Sequence, residues 1–323
     1  PANTPVGNDG DKCGAIGVFS TPIANDNCGS ATVTQIGGQL SGSLFPVGTT
    51  TITFRASDPT GNSTTCQFSI TVTDMQAPNA VCQSLIVNLN AAGTATITAT
   101  QLNGASNDNC TPAANLTFAI SQSSFDCSHV GNNNVTLTVT DAAGNTGTCV
   151  AIVLVRDITP PSFTCPAPIT VSSCDAIIPD VVSLVTNLND NCGIASVTQN
   201  PVAGTDFGNA SGQIVNVTIT AIDVNGNSFN CIVPVTIVDN VPPVFVNCPA
   251  NITVGNDVDK CGANVVFSTP IANDNCSGVT VTQIGGPLSG SLFPLGSTTI
   301  TFRAVDVVGN ISICSFNIIV TDM

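Results

Sequence analysis

A sequence unit of about 83 residues, written four times, constrains this chain more than any other feature. The last cysteine of each repeat falls at Cys66, Cys149, Cys231 and Cys314. The Asp-x-x-Gly-Asn turn ahead of it begins at Asp58, Asp141, Asp223 and Asp306, and an Asp closes each repeat at Asp74, Asp157, Asp239 and Asp322. So regular a period reads as tandem small domains over residues 1–75, 76–158, 159–240 and 241–323. Within it, residues 1–75 match residues 249–323 at 55 of 75 positions, so Pro1 aligns with Pro249 and Cys248 has no counterpart. A cysteine directly before residue 1, and a longer parent array, are therefore expected.

Domains this small bury only a thin apolar core and commonly need covalent staples. The chain has 15 cysteines, with no Cys-x-x-Cys pair and a single histidine, His129. That usage favours a disulfide framework formed in an oxidising, extracellular compartment over zinc. The net charge is −15 and every acidic residue is Asp. Such a balance disfavours nucleic acid and anionic membrane surfaces as partners. No run approaches the ~18 apolar residues of a membrane span, so insertion is not expected.

Alternation dominates locally. Thr50–Ala56 and Phe68–Thr73 are period-two runs rich in β-branched residues, and Val33–Ile36 and Gly17–Ser20 read as further strands. Asp58-Pro59-Thr60-Gly61-Asn62 should close a hairpin between the first two. No stretch keeps a 3.6-residue apolar period. The fold expected is all-β, four tandem immunoglobulin-like β-sandwich domains in an extended rod. Short proline-bearing joints, such as Asp157-Ile158-Thr159-Pro160-Pro161 and Asp239-Asn240-Val241-Pro242-Pro243, would stiffen it.

One pattern recurs in all four repeats, with repeat 2 the most divergent: Pro242-Pro243, Cys248-Pro249, Asp274-Asn275, Phe293-Pro294-x-Gly296, Asp306-x-x-Gly309-Asn310 and Cys314-x-Phe316. It resembles the hyalin repeat, or HYR, family of immunoglobulin-like modules. The additional cysteines in Lys260-Cys261-Gly262 and Asp274-Asn275-Cys276 resemble versions in secreted surface proteins of Bacteroidetes-type bacteria. The resemblance implies extracellular adhesion or a structural stalk, without catalysis.

For an immunoglobulin-like sandwich of this kind, parallel first and last strands imply Cys248–Cys314, with Cys261–Cys276 alongside. The same scheme implies Cys165–Cys231, Cys174–Cys192, Cys82–Cys149, Cys110–Cys127 and Cys13–Cys28, and leaves Cys66 without a partner. It carries one tension: Cys261 and Cys276 flank a strand, so the loop after it must fold back. If the hairpin turn and the Asp-Asn loop lie at a domain's leading end, three carboxylate clusters form at the joints. They are Asp74, Asp108 and Asp141, then Asp157, Asp190 and Asp223, then Asp239, Asp274 and Asp306. Ca²⁺, which takes six to eight oxygens, is one reading of them, and ordinary turn capping is the other.

Repetition of the same Asp residues suits folding better than a catalytic pair, so no enzyme is expected. The function expected is a structural or adhesive extracellular array, the stalk or filament body of a surface adhesin, with further copies of the same repeat as partners. Two alternatives stand beside it: a self-assembling fibre or sheath, and an array of modules binding carbohydrate or protein. The absence of Trp and Tyr counts against carbohydrate.

Overall fold

The structure is a computed structural model that describes residues 1–172, 177–206 and 211–323. Its contacts group into two compact units, Pro1–Thr159 and Pro160–Met323, and each unit holds two of the repeats.

Each repeat is built on a four-stranded sheet of one topology. In repeat 4 the order is Ile252–Gly255, Ile311–Thr321, Gly296–Val305 and Thr280–Gly285. The two long strands form an antiparallel hairpin, and the first strand lies parallel to the last, Ile252 opposite Ile318. Repeat 1 repeats this arrangement with Thr4–Gly7, Ser63–Thr73, Gly48–Ser57 and Thr32–Gly37. Two-stranded sheets lie across the core, Gly262–Asn264 with Leu292–Pro294 in repeat 4 and Gly14–Ile16 with Leu44–Pro46 in repeat 1.

The alternation in the sequence is the cause. Successive side chains of a strand point to opposite faces, so Ile300, Phe302 and Ala304 all turn inward, as do Phe316, Ile318 and Val320 of the partner strand. Phe293 and Phe302 are almost fully buried, and Phe267 packs edge-on against both and against Phe316. Repeat 1 holds the same cluster with Phe45, Phe54, Phe68 and Phe19. These all-β sandwich domains contain no helix long and apolar enough to cross a membrane, among the described residues.

The Asp-x-x-Gly-Asn segment closes the long hairpin in every repeat. Its glycine adopts φ of +95° at Gly61, +94° at Gly144, +92° at Gly226 and +99° at Gly309, a region that other residues enter only with strain. Residues 17–20, expected as a strand, are not one; the strand is Gly14–Ile16. The Ser41 hydroxyl explains the difference, because it accepts from the Phe19 N–H (2.9 Å) and donates to the Phe19 carbonyl (2.8 Å). Those backbone groups are satisfied without a neighbouring strand.

Candidate functional site

The hairpin turn marks the leading end of a repeat and the closing Asp its trailing end. Within the first unit this brings the end of repeat 1 against the start of repeat 2. Asp74, Asp108 and Asp141 converge there, each presenting a carboxylate oxygen within 4.8 Å of the others. Asp74 and Asp141 are buried, 9 % and 6 % exposed.

Each carboxylate is partly committed to its own backbone. Asp141 accepts from the Asn145 N–H (2.7 Å) and the Asn145 side-chain amide (2.8 Å), one oxygen each. Asp108 accepts from the N–H groups of Cys110 and Thr111 through one oxygen, Oδ2. Its Oδ1 is buried and accepts nothing, and the same is true of Asn109 Oδ1. Asn145 also donates to the Asp74 carbonyl (3.2 Å), and Asn109 donates to the Lys12 carbonyl (2.9 Å), so polar groups of repeat 2 grip the end of repeat 1.

The joint inside the second unit repeats the pattern. Asp239, Asp274 and the Cys276 sulfur approach within 4.8 Å of one another. Asp239 is 6 % exposed; its Oδ1 takes the Val241 N–H, and its buried Oδ2 accepts no hydrogen bond. Asp274 Oδ1 and Asn275 Oδ1 are likewise buried without a donor. Burial holds the Asp239 carboxyl above its ordinary range, reinforced by the charges of Asp274 and Asp306. Asp306 goes the other way. Burial alone would raise it, but the Asn310 amide and the N–H groups of Asn310, Gly309 and Val308 together hold it below the usual value. Asn310 also donates to the Asp239 carbonyl (3.3 Å), as Asn145 does to Asp74. Of the middle set, Asp157 belongs to the first unit, where it accepts from the Thr159 N–H, and Asp190 and Asp223 belong to the second.

Disulfides tie the first and last strands within repeats: Cys82–Cys149, Cys165–Cys231 and Cys248–Cys314, with Cα separations of 5.8, 5.9 and 5.8 Å. The other expected pairs need correction. Cys13 is joined to Cys110, across the joint between repeats 1 and 2, with Cα atoms 4.7 Å apart. That excludes both Cys13–Cys28 and Cys110–Cys127. The reason is the length of the sandwich. Cys13 follows a turn held at the trailing end, where Asp11 bonds Gln76 of the linker, whereas the Cys28 loop shares a groove with Asp58 and Asn62 at the leading end. The ten-residue strand Gly48–Ser57 runs between the two ends. At ~3.3 Å per residue they lie about 30 Å apart, far beyond the ~7 Å a disulfide allows.

Cys261 is an exposed free thiol, so Cys261–Cys276 does not form; Cys276 is disulfide-bonded and packs with Ile237 and Val171 of the preceding repeat. Cys127 and Cys192 are also disulfide-bonded. Cys174, expected to pair with Cys192, lies outside the described residues. Cys28 and Cys66 are exposed free thiols.

Sequence reasoning missed the bridge between repeats and the part played by the Asn of Asp-Asn-Cys. The recurrence of that tripeptide at Asp26, Asp108, Asp190 and Asp274 was the available signal.

His129 offers no catalytic arrangement. Its Nδ1 meets both Asp126 Oδ1 (2.8 Å) and the Ser128 hydroxyl (3.3 Å), whereas a serine triad needs acid and nucleophile on opposite ring nitrogens. The group serves as a turn cap, with Asp126 accepting from the Ser128 N–H.

Tandem disulfide-stapled β-sandwiches whose ends interlock define an extracellular-type repeat module. Residues 9–72 and 238–320 match a family model described as the HYR domain. The chain is 32 % identical over 310 residues to hyalin of Lytechinus variegatus, covering 92 % of this chain and 57 % of that protein. Against hyalin of Strongylocentrotus purpuratus the identity is 30 % over 320 residues, 94 % of this chain and 26 % of that one. The chain thus spans about half, or about a quarter, of the length of these relatives. Both are animal proteins and give no support to the expected likeness with bacterial surface proteins. Among solved structures, protocadherin gamma B2 cadherin domains 1–5 align over 100 % of this chain and 80 % of that one (TM-score 0.31, 16 % identity). Sidekick-1 immunoglobulin domains 1–5 align over the same shares (TM-score 0.32, 11 % identity).

Proposed function

We propose that the chain is an extracellular, non-enzymatic adhesion-type repeat array, a stalk or filament body whose joints between repeats bind Ca²⁺. The observation that carries the reading is the construction of the joint: a disulfide from Cys13 to Cys110 beside buried carboxylates with unengaged oxygens. A disulfide framework suits secretion. The bridge and the Asn145 and Asn109 hydrogen bonds restrict motion between repeats 1 and 2, which suits transmission of force along the chain.

Turn capping and cation binding are compatible here, because the turn uses one oxygen of Asp108 and of Asp274 and leaves the other. Buried acceptors of like charge repel, and a hard cation that favours oxygen ligands relieves both the repulsion and the missing hydrogen bonds. Asp74, Asp108, Asp141 and Asn109 would hold it at one joint, and Asp239, Asp274, Asp306 and Asn275 at the other.

Isothermal titration of the whole chain with CaCl₂ after chelator treatment tests this. Saturable heat is expected, and Asp108→Ala and Asp274→Ala should each remove one site. A flat trace from the unmodified chain would refute the cation reading and leave these Asp residues as turn formers.

A further inference from the structure

The Asp-Asn-Cys tripeptide sets a carboxylate and a cysteine two residues apart, so whatever pins the cysteine also places the carboxylate. At the joint of repeats 1 and 2, two short runs of contacts end on the clustered acids. On the repeat 1 side, the Asp11 N–H donates to Gln76 Oε1 (2.9 Å) and the Gln76 amide donates back to Asp11 Oδ1 (3.1 Å). The Gln76 N–H in turn donates to Asp74 Oδ1 (3.2 Å). On the repeat 2 side, the N–H groups of Cys110 (2.9 Å) and Thr111 (2.7 Å) fix Asp108 Oδ2. The Thr111 hydroxyl, on a side chain 4 % exposed, accepts from the Ala142 N–H (3.1 Å) next to Asp141. Cys13 stands two residues from Asp11, and Cys110 two from Asp108. Their bridge, with the Asn109-to-Lys12 hydrogen bond beside it, closes the two runs into one ring of contacts. The unengaged acceptors Asp108 Oδ1 and Asn109 Oδ1 are buried on the segment it pins. The joint of repeats 3 and 4 is built alike: Cys276 is disulfide-bonded, its N–H donates to Asp274 Oδ2 (3.1 Å), and Asp239, 6 % exposed, has an Oδ2 that accepts no hydrogen bond.

We propose that the Cys13–Cys110 bridge is a redox control on cation binding at this joint. Closed, it holds Asp108 and Asn109 of repeat 2 against Asp74 of repeat 1, so the oxygens contributed by the two repeats are in place before the cation arrives. Opened by an external thiol, it leaves those oxygens joined through hydrogen bonds and the linker alone, and the cation must order them as it binds. Such coupling is reciprocal: a cation held more tightly with the bridge closed makes the bridge harder to reduce by the same factor. Cys13 is exposed, so a small thiol can reach the bridge. In the reductive step a dithiol such as dithiothreitol loses two protons and two electrons as its own sulfurs join, and Cys13 and Cys110 take them up as their S–S bond breaks. The inference rests on the cation reading above and adds the regulation of that site.

The test uses the whole unmodified chain, equilibrated in buffers of graded reduced-to-oxidised dithiothreitol ratio with either CaCl₂ or a chelator. The thiols are then alkylated and each bridge is read by peptide mapping. Ca²⁺ should raise the ratio needed to half-reduce Cys13–Cys110 by on the order of tenfold, an ordinary coupling between two sites. Cys82–Cys149, which joins strands inside repeat 2, is the internal control and should shift little. In an Asp108→Ala chain the effect of Ca²⁺ on Cys13–Cys110 should vanish. Calorimetric titration of the same unmodified chain separates the two readings. Saturable heat combined with a Cys13–Cys110 equilibrium indifferent to Ca²⁺, or with an equal shift at Cys82–Cys149, would overturn the redox control and leave the cation reading standing. Absence of saturable heat would overturn both.

Discussion

Replacing Cys13 and Cys110 together by serine tests whether the bridge across the joint stabilises one repeat or both. The two cysteines are 97 residues apart, and the closed loop takes in most of repeat 1. When repeat 1 unfolds while repeat 2 stays folded, the bridge ties a loop of about 60 residues to the surface of repeat 2, and loop-closure entropy sets its worth at about 4 kcal/mol. Repeat 2 keeps Cys82–Cys149 in the variant, whereas Cys66 of repeat 1 is free, so the loss should fall on one side. Hydrogen exchange read by mass spectrometry separates the two. The core strand amides of Ile52, Phe54, Ile70 and Val72 should exchange faster by on the order of a thousandfold, the equivalent of about 4 kcal/mol in opening free energy. Those of Val135, Leu137 and Val153 should change little. Equal acceleration in both repeats, or none in repeat 1, would refute the reasoning, because either result means that the bridge does not restrict the unfolded repeat 1.

Two further outcomes follow from the geometry. Phe302→Ala removes a ring that is 2 % exposed and stacked on Phe316, and should destabilise repeat 4 by about 3–5 kcal/mol in thermal unfolding, with Val307→Ala at an exposed position as a near-neutral control. The Asp58 carboxyl is lowered from 3.8 to about 2, mainly by the Thr60 hydroxyl and then the Asn62 amide. Because its folded value is depressed, its contribution is complete above the unfolded value near 3.8 and is lost as pH falls through about 2. Carboxyl NMR titration should find that midpoint, and Asn62→Ala should move it back up; an unmoved midpoint would show that Asn62 is not its partner.

The positions of Ile300, Phe302 and Ala304 inside the sandwich could be read from the chain because a strand's period of two is a local property, written residue by residue. The hairpin turn was legible for the same reason: Asp, Gly and Asn at fixed offsets satisfy their own backbone. The first and last strands could be joined by analogy with the immunoglobulin-like sandwich. Cysteine partners at the joints were a different matter. Cys13 lies 15 residues from Cys28 and 97 from Cys110, yet an extended sandwich sends the near residue to the far end and the next repeat's loop to the near one. The open oxygens of Asp108 and Asp274 have the same origin. Each depends on which surfaces of different repeats meet, and a repeat written four times contains no statement of that until the chain is folded.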